Sequence, residues 1–197
     1  MPLGAFKAAL MGTAGATAEG DVVLLSTQTA SNSATISFTS GITSTYGEYI
    51  FKFYNLNPAT DQANFTFQVN ATDGADYNDS AMTTTYFSAI HDEDDDNAAV
   101  SYVAANDQAQ GTAFQMLTYY SGSGSDESST GELHLFNPAS TTYVKHFHAR
   151  MNNYLSGARS DDIYVAGYIN DTTAIDDVQF KFSSGNFDGK IKMWGVK

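Results

Sequence analysis

Gly131-Glu-Leu-His-Leu-Phe-Asn-Pro-Ala-Ser-Thr-Thr-Tyr-Val-Lys-His-Phe-His-Ala-Arg150 is the stretch that decides the fold class. Leu133 and Leu135 alternate with Glu132 and His134, and further on Phe147 alternates with His146 and His148, the period-2 pattern of strands with one buried face. Between them, Asn137-Pro138-Ala139-Ser140 has the chemistry of a turn. Asn favours the first corner and Pro carries the φ near −65° that the second requires, so a β-hairpin with a four- to five-residue connection is expected. The same device occurs upstream, where Tyr49-Ile-Phe-Lys-Phe-Tyr54 reaches Asn57-Pro58-Ala59-Thr60 and returns as Asn64-Phe-Thr-Phe-Gln-Val69. That predicts a second hairpin. Two such hairpins suit a two-sheet sandwich with one in each half.

The rest of the chain is consistent with strands. Val22 to Leu25 reads as a short apolar strand, and Ala34 to Phe38 as another with Ile36 and Phe38 on one face. In the first predicted hairpin Phe65, Phe67 and Val69 face one way and Thr66, Gln68 and Asn70 the other. Met82 to Ile90 is rich in β-branched and aromatic residues. Asn106 to Ala109 has the look of a short helix start weakened by Gly111, and Phe114 to Tyr120 that of a strand running into the flexible Ser121 to Ser129 loop. Asp162 to Ile169, Val178 to Phe182 and Lys190 to Val196 complete ten or eleven strands. The resulting expectation is an all-β, antiparallel two-sheet sandwich of jelly-roll type over residues 22–197. Ala- and Gly-rich Met1 to Asp21 is expected to be an N-terminal extended arm that orders on another surface. Lys7, Ala8 to Ala16 and Ala16-Thr17-Ala18 imitate a signal peptide, but Gly12 and Gly15 interrupt its weakly apolar centre, which favours the arm.

Composition narrows the function. The 197 residues are 42% hydrophobic and include 13 Phe and 12 Tyr, enough to fill the space between two sheets. With no cysteine, neither disulfides nor thiolate metal sites are available. Nine Lys plus Arg against 22 Asp plus Glu leave a formal charge of −13, which argues against binding a phosphate backbone. Such a chain repels its own copies at low salt, so assembly should be helped by salt or divalent cations. No run of ~18 apolar residues is present, so no membrane insertion by a helix is expected.

Candidate chemistry is sparse. His91-Asp-Glu-Asp-Asp-Asp-Asn97 reads first as a solvated acidic loop. As a calcium loop it would use Asp92, Asp94 and Asp96, but it lacks the Gly and Glu of an EF-hand. Neighbouring carboxylates in one loop do not make the opposed pair that glycoside hydrolysis needs. His146 and His148 share a strand face, and in a trimer could offer six imidazoles to a metal, although surface histidines are the commoner reading. His134 and His91 have no spacing that recruits them. Tyr119-Tyr120 and Trp194 are candidates to stack on a sugar, against the commoner core or interface role. The sequons at Asn64, Asn70, Asn78 and Asn170 matter only in a secreted eukaryotic protein. No nucleophile elbow, phosphate loop or zinc-protease motif occurs, so no catalytic, cofactor-binding or metal residue is assigned and no enzyme is expected.

Three pieces carry a resemblance: Gly131 to Pro138, Val178-Gln-Phe-Lys-Phe-Ser-Ser-Gly-Asn186, and the ending Gly189-Lys-Ile-Lys-Met-Trp-Gly-Val196. Together they resemble the closing half of small virion proteins of tailed bacteriophages, especially marine ones. The ending is similar to their final jelly-roll strands. The resemblance implies a jelly-roll domain on the virion surface, made in the host cytoplasm, that decorates the capsid or forms a spike or fibre. It also implies other virion proteins as partners and often a homotrimer. The alternative is a lectin-like receptor or binder of a host surface glycan, using the loops Ala71 to Ser80, His91 to Asn97 and Ser121 to Thr130.

Overall fold

The computed structural model describes residues 21–197, so the predicted arm lies outside the described residues apart from Asp21, whose carbonyl accepts the Lys197 amide at 2.9 Å. The chain passes back and forth between a larger and a smaller sheet. β1 (Val22–Ser33) is in the larger, β2 (Ile36–Phe38) in the smaller, β3 (Glu48–Pro58) in the larger and β4 (Phe65–Ala71) in the smaller. β5 (Met82–Asp92), β6 (Ala98–Tyr102) and β7 (Ala109–Gly111) return to the larger sheet, and β8 (Gln115–Met116) to the smaller. β9 (Ser129–Phe136), β10 (Lys145–Leu155) and β11 (Arg159–Ile169) form a meander in the larger sheet, before β12 (Ile175–Phe182) in the smaller and β13 (Phe187–Val196) in the larger.

The larger sheet is ordered β1-β13-β3-β9-β10-β11-β5-β6, with β7 also on β5; the smaller is β2-β12-β4-β8, and every pairing is antiparallel. With the two insertions β5–β7 and β10–β11 set aside, β1-β13-β3-β9 faces β2-β12-β4-β8. Those eight strands are a jelly roll, two interleaved Greek keys, as the aromatic alternation led one to expect. The insertions lengthen only the larger sheet. Its far end, built from β11, β5 and β6, therefore extends past the small sheet, and its inner face must be covered by something else.

Aromatic rings fill the space between the sheets. Phe180 of β12 sits at the centre, with ring centroids 5.2 Å from Phe51 and Phe53, 5.8 Å from Phe65 and 6.2 Å from Phe38. The alternation read in β10 holds: Phe147, Ala149 and Met151 are buried while His146, His148 and Arg150 face outward. The predicted β9–β10 hairpin is present, with Phe147 opposite Leu135, but its connection runs over residues 137–144 and is longer than predicted.

Other expectations are corrected. β3 and β4 are not a hairpin, because both edges of β3 are occupied by β13 and β9, and the chain after Pro58 turns a corner into the opposite sheet. Both faces of β4 are buried. The outward Gln68 lies beneath the 80–113 region and donates its amide to the carbonyls of Ser80, Thr112 and Ala113 at 3.2, 3.0 and 3.2 Å. The Val22 strand spans 12 residues, held along its length by β13. The helix expected at Asn106 to Ala109 is a single 3-10 turn, Ala104–Asn106, followed by β7. Of the strand expected from Phe114 to Tyr120 only Gln115–Met116 pairs, since the remainder bends around the open end of the sandwich.

Candidate functional site

The residues singled out by sequence lie at separate places. Asp92 ends β5, where Arg159 of β11 grips it with Nε and, at 3.0 Å, with Nη2. That pairing holds the Asp92 carboxyl below its ordinary value. Asp94, Asp95 and Asp96 lie in the turn beyond, with Asp95 taking the His91 ring at 3.1 Å. Among the described residues no group of three or more His, Asp or Glu side chains is arranged to hold a metal ion. The histidine pair is also not the one that strand spacing suggested. His148 stacks on His134 with centroids 4.5 Å apart, because register places them directly opposite, whereas His146 lies by Tyr168 at 6.2 Å. His134 in turn hydrogen-bonds Glu48. Burial, and then the His134 ring, depress the His148 imidazole below its ordinary value. Trp194 is half-buried on the outer face between the register neighbours Leu24 and Ile50.

The outer face of the large sheet carries an ordered row. Register aligns Lys192, Lys52, Glu132, Arg150, Tyr164, Phe87 and Tyr102 on successive strands from β13 to β6. Lys52 and Glu132 pair at 3.3 Å, Arg150 holds Asp162 in a fork at 3.0 and 2.9 Å and lies 5.1 Å from the Tyr164 ring centroid, and Tyr164 stacks on Phe87 at 4.9 Å. Such cross-strand pairs each contribute about 0.2–1 kcal/mol. At the β5–β6 edge the row becomes apolar and exposed, with Phe87 at 42%, Tyr102 at 62% and Val100 at 78%.

A different region has concave geometry and buried polar groups. Where the larger sheet extends past the smaller, residues 101–106 and Tyr119-Tyr120 close over β5 and β11, leaving a cavity of about 390 Å³. Tyr86, Ser88 and Ile90 of β5 and Asp161 of β11 line it from the sheet, while Val103, Asn106 and the two tyrosines line it from the cover. Asp161 is only 2% exposed and its Oδ1 has no hydrogen-bond partner; the Tyr86 hydroxyl and the Asn106 Nδ2 likewise have none. Burial is the main cause that pushes the Asp161 carboxyl up to about 6, with the Ser88 hydroxyl and Arg159 partly offsetting it. Burial, reinforced by Asp161 and partly offset by the neighbouring Asn106 side chain, also raises the Tyr86 phenol. Tyr119 and Tyr120 stack on each other at 3.9 Å. Of these residues only the tyrosine pair was singled out from sequence. Asp161 did have a signal, since it shares strand parity with Ile163 and Val165 and so places an acid on an apolar face.

No protein-family model matches the chain, and no curated protein matches it significantly. Among solved structures, one titled "Structure of infectious bursal disease virus Gx strain" aligns over 89% of this chain and 40% of that chain, at 12% identity and a TM-score of 0.17. A likeness at that score carries no argument. The class to which the chain belongs is therefore read from its own strand order: a jelly-roll β-sandwich with an enlarged sheet. Among the described residues no helix is long and apolar enough to cross a membrane.

Proposed function

We propose that the chain is a structural component of a bacteriophage virion, decorating the capsid or forming an external spike or fibre, and that it works by assembly and catalyses no reaction. The observation that carries this reading is the jelly-roll strand order, an architecture shared by viral capsid and lectin domains. Two further features support it. The outer face of the enlarged sheet presents an ordered row of side chains to a partner, and its β6 edge ends in exposed Val100 and Tyr102, the kind of apolar rim that association covers. The charge of −13 favours a partner other than nucleic acid, and association should strengthen with salt. A homotrimer is the assembly proposed, with Met1 to Asp21 as the anchoring arm.

The test is immunogold electron microscopy of phage particles, using an antibody raised against the whole chain, together with light scattering of the purified protein. Gold on the particle surface and a trimer mass are expected. Bare particles, with all of the protein recovered outside them, would overturn the virion reading. The glycan-binding alternative is favoured by one observation, the stacked tyrosines at the cavity over β5 and β11.

A further inference from the structure

We propose that the cavity between β5, β11 and the 101–120 segment is a binding site for a neutral pyranoside, with Asp161, Tyr86 and Asn106 contacting ring hydroxyls and Tyr120 providing the stacking surface. This inference deepens the glycan alternative and stands apart from the virion reading, because binding is measured on the purified chain whatever particle it belongs to.

Why the cavity exists follows from the fold. The insertions extend the large sheet by β10, β11, β5 and β6, while the small sheet ends at β8. The exposed inner face is covered by a connection instead of a sheet, and a connection of irregular backbone leaves a gap. About 390 Å³ lies near the lower end of the range, ~300–1,000 Å³, that small-molecule sites occupy, which suits a single sugar ring.

The floor of the cavity is polar where a packed core would not be. Asp161 Oδ1 is an acceptor, Asn106 Nδ2 a donor, and the Tyr86 hydroxyl is both; all three are buried, Asp161 Oδ1 has no protein partner, and the Asn106 side chain lies beside the Tyr86 hydroxyl without closing a full hydrogen bond to it. Leaving such a group unpaired costs about 1–3 kcal/mol, so a ligand that displaces solvent from this cavity must pair all three together. Adjacent hydroxyls of a pyranose meet that need, one donating to the carboxylate and the next accepting from the amide. A quaternary ammonium does not, since it offers neither donor nor acceptor and would leave the hydrogen-bonding capacity of all three groups unmet.

The backbone that carries the aromatic wall is held in place by hydrogen bonds. Tyr120 has φ of 48°, a left-handed conformation that a bulky side chain seldom adopts. Its amide donates to Asn64 Oδ1 at 2.8 Å, its carbonyl accepts the Ser156 amide at 2.8 Å, and the Tyr119 carbonyl accepts Asn153 Nδ2 at 2.8 Å. Three hydrogen bonds from two parts of the chain, Asn64 and the end of β10, thus fix a backbone conformation that sequence alone disfavours, and Tyr120 remains 41% exposed at the cavity. A ring carried on a fixed backbone and packed on Tyr119 keeps its other face for the C–H face of a sugar, with less conformational freedom to lose at binding.

The purified full chain is titrated at neutral pH with the methyl glycosides of glucose, galactose, mannose and N-acetylglucosamine, with tetramethylammonium as the cationic control, by calorimetry and saturation-transfer NMR. At least one glycoside is expected to bind, with Asp161→Asn and Tyr120→Ala each weakening it by about tenfold or more, the loss associated with an unmet hydrogen bond or stacking contact. Tyr120→Phe keeps the ring and should keep the binding. Thermal melts of each variant establish that the loss is not one of folding. The proposal is overturned if no glycoside binds, if binding survives either Asp161→Asn or Tyr120→Ala, or if tetramethylammonium is preferred to every glycoside.

Discussion

Replacing Asp161 by Asn should stabilise the protein at neutral pH and leave it unchanged in acid. The carboxyl is 2% exposed, and burial raises it from an ordinary 3.8 to about 6. In full that rise is worth about 3 kcal/mol of unfavourable ionisation. The cavity mouth admits solvent, so about half of it, ~1.5 kcal/mol, is the difference to expect. Below about pH 4 the folded and unfolded chains both hold the proton and the group costs nothing. As pH rises from about 4 to 6 the unfolded chain releases its proton while the folded one keeps it, so stability is lost through this window and the deficit is complete above it. Asn has nearly the same shape and no charge to desolvate. At roughly 2–4 °C per kcal/mol for a domain of this size, the variant should melt about 3–6 °C above the parent at pH 7 and beside it at pH 4. Differential scanning calorimetry across that range measures both. A gain of equal size at every pH, or a lower melting temperature at pH 7, would refute the assignment of a strained carboxylate. Paired with the binding experiment, this variant separates the two roles of one side chain, since it should gain stability as it loses sugar.

Phe180 touches rings from both sheets, so Phe180→Ala should cost about 3–5 kcal/mol, read as a fall in the urea midpoint; a loss under about 1 kcal/mol would mean that the aromatic cluster is not the core. Gly131→Ala places a Cβ 2.3 Å from the Arg150 carbonyl oxygen of the neighbouring strand, and should destabilise by about 1–3 kcal/mol or more while leaving the far-edge cavity intact. His148 is held below its ordinary 6.5, so the folded state resists its protonation and stability falls as pH drops below that value. His148→Gln should flatten that fall. Parallel melting curves for parent and variant from pH 7 to 5 would show that the His134–His148 stack is of no consequence to stability.

What the sequence determined by itself was the local grammar. Leu133, Leu135 and Phe147 alternate with polar neighbours, and period-2 patterning is a property of one strand that needs no knowledge of its partners. The same rule buried Phe65, Phe67 and Val69 and exposed the β10 histidines, and the aromatic count was enough to imply two facing layers. The tertiary structure decided everything that depends on which strand lies beside which. Tyr49 to Tyr54 and Asn64 to Val69 read as a hairpin, but alternation is the same whether the return strand joins its own sheet or the opposite one, and β13 and β9 had already taken both edges of β3. His134 meets His148 through register across strands, which spacing along either strand cannot reveal. The candidate site is the extreme case. Asp161, Tyr86 and Asn106 are far apart in the chain and meet only because two insertions lengthen one sheet beyond the other, leaving an inner face that the short small sheet cannot reach.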